Sequence, residues 1–171
     1  MIKEDYNKET MAKVTGRSVP ISTRHAIEIS NFIRNKNVQK MKAFLEDVIN
    51  MKKALPFTRF NKGLGHKTKI GPGRYPIKSS KEVLALIQSA ESNAQFKGLN
   101  TADLIISKIV SNQASTSWHY GRKKRRKMKR TNIEIILTEK AEKAEKPSKK
   151  QELKKEAQKK QEVKKGSVKN D

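Results

Sequence analysis

The chain has 171 residues, 34% hydrophobic and 33% charged, against about 45–50% and about 25% in an ordinary globular domain, so no single core covers its whole length. Forty Lys and Arg against 17 Asp and Glu leave a formal charge of +23, a self-repulsion that points to a polyanionic partner, nucleic acid first and a membrane surface second. No apolar run approaches the roughly 20 residues that cross a bilayer, no signal-peptide apolar region stands near Met1, and cysteine is absent, so a cytosolic protein with no membrane partner is expected.

In chain order, residues 1–9 read as a polar extension. The β-prone stretch Lys13-Val14-Thr15-Gly16-Arg17-Ser18-Val19 predicts a strand over about 12–19 that Pro20 ends. Ser22 and Thr23 are N-cap candidates for a helix over 24–34, whose Ala26, Ile29 and Ile33 make one apolar stripe. Val38, Met41, Leu45 and Val48 predict a fuller amphipathic helix from about 37 to 53, closed by Pro56. Residues 54–78 are rich in glycine and proline and have no period, so they form a long loop, ordered or disordered. Loops of that length inside a compact domain usually serve a function, and this one interleaves Arg59, Lys62, Lys67, Lys69 and Arg74 with Phe57, Phe60 and Tyr75, a composition suited to binding. A third helix is expected over 79–97, with Ser79 or Ser80 as cap, Val83, Ile87, Ala90 and Ala94 facing a core, Glu91 and Asn93 facing solvent, and Gly98 as the C′ stop.

After Gly98 the period changes to that of strands. Leu104 to Val110 and Asn132 to Thr138 are β-branched and similar in length, and the polar residues 111–131 between them predict a hairpin arm reaching roughly 33 Å at about 3.3 Å per residue. Such an arm has almost nothing apolar to bury, so it is expected to order when a partner covers it. The predicted fold class is α+β: three helices packed on one face of a small three-stranded antiparallel sheet, with a long protruding β-hairpin. The Lys/Glu-rich tail, 141–171, is expected to be disordered or transiently helical.

The arm holds the densest charge: eight of the nine residues from Arg122 to Arg130 are basic (Arg122, Lys123, Lys124, Arg125, Arg126, Lys127, Lys129 and Arg130). Trp118, His119 and Tyr120 stand directly before them, rings that stack on unpaired bases while Arg and Lys neutralise phosphate. A solvated loop carrying a localisation signal is the competing reading, and the flanking strands weigh against it. His25, His66 and His119 have no carboxylate or cysteine at metal-ligand spacing. Gly63-Leu64-Gly65-His66-Lys67-Thr68 lacks the spacing of a phosphate-binding P-loop. No carboxylate pair suited to acid–base chemistry is evident, so neither an enzyme nor a cofactor is expected.

Four stretches in order carry a resemblance: Thr15 to Ser22, Leu55 to Gly63, Ala90 to Ala94 with Lys97-Gly98-Leu99, and Ile135 to Lys140. They resemble the L twenty-two family of large-subunit ribosomal proteins, and the 54–78 loop resembles its archaeal and eukaryotic branch. The resemblance covers about residues 10–140. It implies a domain over 10–140, including the loop and the hairpin 104–138, that lies near the exit of the nascent-peptide tunnel and inserts the hairpin into 23S-type rRNA. By position, it implies rRNA contacts for Arg17, Ser18 and Arg24, for the segment from Arg59 through Phe60, Asn61 and Lys62 to Lys67, and for Trp118 to Arg130. Gly121 and Arg122 would line the tunnel wall beside the nascent polypeptide. The implied role is structural, in subunit assembly and translation, with rRNA and neighbouring subunit proteins as partners and no homo-oligomer. The arm departs from the family pattern in being shorter, in lacking its usual prolines and in its single dense basic run. A free-standing basic RNA chaperone or regulatory RNA-binding protein is the alternative.

Overall fold

The three predicted strands close into one antiparallel sheet in the computed structural model, which describes residue 7 and residues 10–139. Strand β1 is Met11–Val19, followed by helix α1, Thr23–Ile33, and helix α2, Val38–Ile49. Three short strands follow, β2 (Leu55–Pro56), β3 (His66–Lys67) and β4 (Gly71–Arg74), then helix α3 (Ile77–Phe96), strand β5 (Leu104–Gln113) and strand β6 (Thr131–Glu139). The main sheet has the order β1-β6-β5, so the last strand lies between the first and the fifth. The architecture is α+β, as the sequence predicts.

Alternation decides which face of the sheet is covered. Ala12 pairs with Leu137, Ile106 with Leu137 and Ile109 with Ile135, and these side chains enter the core, as does that of Ile133 opposite Gly16. Ile106 and Ile109 are three apart on one face because the register shifts between Ile106 and Lys108, a bulge that Ser107 marks by donating its hydroxyl to the Ile136 carbonyl. Helix α1 lies over β5, α3 over β1 and β6, and α2 against α3. Gly16 allows the closest approach: a Cβ there would meet Leu86 Cδ1 at 2.8 Å. Thr131, fully buried, ties β6 to α1 by donating to the Ile21 carbonyl at 3.1 Å and sharing a 2.9 Å bond with the Thr23 hydroxyl.

Several boundaries differ from the sequence reading. Helix α2 ends at Ile49 rather than near Lys53, because Met51 takes φ +57 well before Pro56. Its start is as patterned: the Asn37 side chain caps it by accepting from Gln39 N at 2.9 Å and Lys40 N at 3.3 Å. Helix α3 begins two residues early, on an N-cap of Pro76, so Ser79 and Ser80 are buried packing residues rather than caps. Gly98 stops it at φ +75, with Leu99 N donating to Ala94 O and Gly98 N to Gln95 O, the Schellman pattern. Glu91 and Asn93 do more than face solvent. Glu91 accepts from Lys42 at 2.7 Å and Gln39 at 2.6 Å on α2, and Asn93 donates to the Lys13 carbonyl on β1. The expected N-terminal extension lies almost wholly, and the Lys/Glu tail entirely, outside the described residues.

Candidate nucleic-acid interface

Between β5 and β6 the ladder ends at Gln113 opposite Thr131, and backbone bonds continue beyond it. Ala114 N donates to Arg130 O, Met128 N to Ser117 O and His119 N to Arg126 O, and Trp118 stands opposite Lys127. The end of the arm turns through Gly121, at φ +64, into a single 3₁₀ turn, Gly121–Lys123. That conformation suits glycine, and the turn closes with Lys124 N donating to Gly121 O. The consequence is outward display. Arg122, Lys123, Lys124, Arg125, Arg126, Lys127 and Lys129 are all exposed, as are Trp118 and Tyr120, while His119 is half-buried. The Lys127 ammonium sits 4.9 Å over the Trp118 ring, a cation–π contact within the arm.

Arg130 behaves differently from the rest of the run. Half-buried, it donates to the Ser18 carbonyl at 3.2 Å, and Asn132 accepts from Ser18 N at 2.8 Å. Ser18 has φ +52 at the irregularity that ends β1, so these two contacts pin a left-handed residue to the base of the arm. Arg17, one position earlier, is exposed.

Loop 54–78 is ordered into a small sheet of order β2-β4-β3 that periodicity did not reveal. Gly73 is buried in it, and a Cβ there would lie 3.2 Å from the Leu55 carbonyl oxygen. The residues before β3 are fixed by Glu28, a carboxylate on α1 that is 1% exposed. It accepts from Thr58 N at 3.1 Å, the Thr58 hydroxyl at 3.2 Å, Arg59 N at 2.8 Å and Phe60 N at 2.7 Å. Burial would push this carboxyl up, but the N–H groups of Phe60, Thr58 and Arg59 and the Thr58 hydroxyl outweigh it and hold its pKa below the ordinary value. Arg59, Asn61, Lys62, Lys67, Lys69 and Arg74 project to solvent around this anchor, and the guanidinium groups of Arg24 and Arg59 approach the Phe60 ring to 5.8 and 5.5 Å from its centroid.

The start of α1, the anchored loop and the returning leg of the arm face one another across a cavity of about 750 Å³. Its cationic wall is Arg24, Lys62, Arg74, Lys127, Lys129 and Arg130, and no carboxylate lines it. Of the predicted contact residues, these six and Phe60 are brought together. Arg17, Lys67, Lys69 and the 118–126 part of the arm are not among its lining residues. The sequence reading missed Glu28 and His25. Glu28 gave no signal beyond a carboxylate beside the apolar stripe of α1; its partners lie 30 to 32 residues away. His25 sits in the same wall, its ring edge-on to Phe57 at 5.6 Å.

The described residues form a small α+β body with a carboxylate-free cationic cleft continuous with an exposed basic arm, an electrostatic surface suited to a polyanion. The sequence profile of the family described as ribosomal protein L22p/L17e matches residues 14–138. Large ribosomal subunit protein uL22 of Methanocaldococcus jannaschii is 39% identical over 145 residues, covering 80% of this chain and 93% of the relative. The uL22 of Methanoculleus marisnigri is 37% identical over 139 residues, covering 77% and 91%, and that of Thermoplasma acidophilum 35% over 150, covering 83% and 99%. The chain belongs to the L22p/L17e family of ribosomal proteins and is of the archaeal type, and the place of such a protein is the cytoplasmic ribosome.

Proposed function

We propose that this chain is a structural, non-enzymatic constituent of the large ribosomal subunit, acting through residues 10–140 with 141–171 as an appended tail. It binds large-subunit rRNA by charge neutralisation and shape filling, contacts neighbouring subunit proteins, and does not pair with itself. Family membership supports a body near the tunnel exit and a protruding hairpin arm, 111–131, in the tunnel wall, with Gly121 and Arg122 toward the nascent polypeptide. One observation carries the RNA reading: seven cations between Arg122 and Lys129 stand exposed and, among the described residues, none forms an ion pair with a carboxylate. Phosphates supply the missing counter-charge.

The test is the double variant Arg125→Glu with Arg126→Glu, introduced as the sole copy of the protein. Large-subunit yield should fall steeply, and near-normal yield would overturn the arm assignment. Sedimentation after a high-salt wash separates the alternative: a ribosomal constituent stays with large subunits, whereas a free-standing RNA chaperone is released to the soluble fraction.

A further inference from the structure

The 750 Å³ cavity is not alone. A second cavity of about 380 Å³ adjoins it, between the start of α1, the start of α3 and the arm, and reaches Lys78 and His119. The two share Ser22, His25, Met128, Lys129 and Arg130 in their walls, so they are two lobes of one cleft with His25 at the junction. Apolar surface from Ile27, Leu64 and Met128 and the rings of Phe57 and Phe60 alternates in it with cations. That mixture is more than a phosphate-neutralising surface requires. A duplex presents its phosphates on the outside and its base faces stacked within, so it can use only the rim of a cleft. An unpaired strand offers both phosphates and bare base faces, and rings interleaved with Arg and Lys match both.

We propose that this two-lobed cleft receives an unpaired RNA strand, with bases against the rings of Phe60 and His25 and phosphates on Lys62, Arg74 and Lys129. The proposal rests on the rRNA-binding reading and narrows it: the arm neutralises RNA of either form, while the cleft selects single strand. The local electrostatics agree. Burial first, then the charges of Arg74 and Lys129, hold the His25 pKa below its ordinary value, so its ring is neutral near pH 7 and free to stack. Arg24, Lys62, Lys78, His119, Lys127 and Arg130 are the other titratable groups on the lobes around it, and no carboxylate joins them. An entering phosphate would offset these cations and raise the His25 pKa.

The full-length protein is titrated with a ten-nucleotide polyuridylate and, separately, with a ten-base-pair RNA duplex, reading fluorescence anisotropy and the His25 imidazole resonance. The variant Lys62→Ala with Arg74→Ala, both exposed and outside the core, should weaken polyuridylate about tenfold and the duplex less than twofold. Phe60→Ala should act in the same direction. The arm variant Arg125→Glu with Arg126→Glu should weaken both probes alike. The His25 titration midpoint should rise with polyuridylate and stay put with duplex. Equal loss for both probes in the cleft variant, or a His25 resonance indifferent to polyuridylate, overturns the cleft proposal while leaving rRNA binding intact. Failure of the wild type to bind either probe overturns the rRNA-binding reading itself. Displacement of polyuridylate by an equimolar glutamate decapeptide would make the cleft a site for acidic peptide and end the proposal.

Discussion

Replacing Glu28 with Gln tests how the loop is held, because it changes one atom in a buried cluster of four hydrogen bonds. The carboxylate is 1% exposed and its acceptors are saturated by Thr58 N, Thr58 Oγ1, Arg59 N and Phe60 N. A glutamine keeps one oxygen, which can hold the Arg59 and Phe60 N–H groups, but its amide nitrogen then faces Thr58 N, donor against donor. One partly buried N–H loses its acceptor, which costs toward the low end of about 1–3 kcal/mol, and two charge-assisted bonds become neutral, each losing about half of a worth of about 1.5–3 kcal/mol. Since the terms overlap, the expected loss is about 2–3 kcal/mol, measured by urea unfolding of the full-length protein at pH 7 with equal m-values. The folded-state pKa of Glu28 is depressed, so its contribution is fully present above the ordinary glutamate range, near about 4.3, and is lost as pH falls through the lower folded value. The stability gap between wild type and Glu28→Gln should therefore shrink on acidification. A gap under about 0.5 kcal/mol at pH 7, or one independent of pH, would refute the anchor.

Three further outcomes are expected. Gly98→Ala should destabilise by about 1 kcal/mol on thermal unfolding, a purely conformational cost, because Gly98 has φ +75 and an added Cβ meets nothing within 4 Å. Asn37→Ala removes the α2 cap and its bond to the Ala102 carbonyl and should cost about 1 kcal/mol by the same measurement. RNA binding should strengthen as salt is diluted: if the seven exposed cations of the arm each meet a phosphate, log K against log salt has a slope of about −6 on duplex RNA and about −5 on single strand. Arg130 is left out of that sum because its guanidinium already serves Ser18.

The elements were legible where a side-chain period is tied to a buried face. Ile133, Ile135 and Leu137 repeat every second residue and are all fully buried, and Ala26, Ile29 and Ile33 mark the buried stripe of α1 just as directly. Glycine at the end of α3 was legible for a different reason, since a left-handed C′ residue is a local requirement. Illegible features depend on contacts distant in the chain. Nothing local tells that Met51 leaves the helix, that Ser107 sits at a bulge, or that the glycine-rich loop pairs Leu55 with Arg74 across 19 positions. The site divided along the same line. The cations were visible as residue types, but their grouping into a cleft depends on Glu28 drawing residues 58–60 onto α1, and that bond network has no period.

The distribution of acid explains why the basic surface can exist at all on a body carrying so much charge. Three ion pairs lie away from the cleft: Lys13 with Glu134 on the outer sheet face, Lys42 with Glu91 between α2 and α3, and Lys53, just past α2, with Asp47. Carboxylates therefore offset cations on these outer surfaces, while none lines the cleft. The one carboxylate under the cleft, Glu28, has its charge absorbed by backbone N–H groups instead of by Arg24, Arg59 or Lys62 nearby in sequence or space. Had it been exposed, it would have paired with one of those cations and weakened the phosphate field at short range, where screening by salt is least effective. Its burial thus serves two ends with one side chain: it shapes the cleft wall and keeps that wall positive. A lysine or arginine freed by acid elsewhere would not substitute, because the field that an RNA strand would meet under the proposed binding is summed over the few ångströms between α1, the loop and the arm.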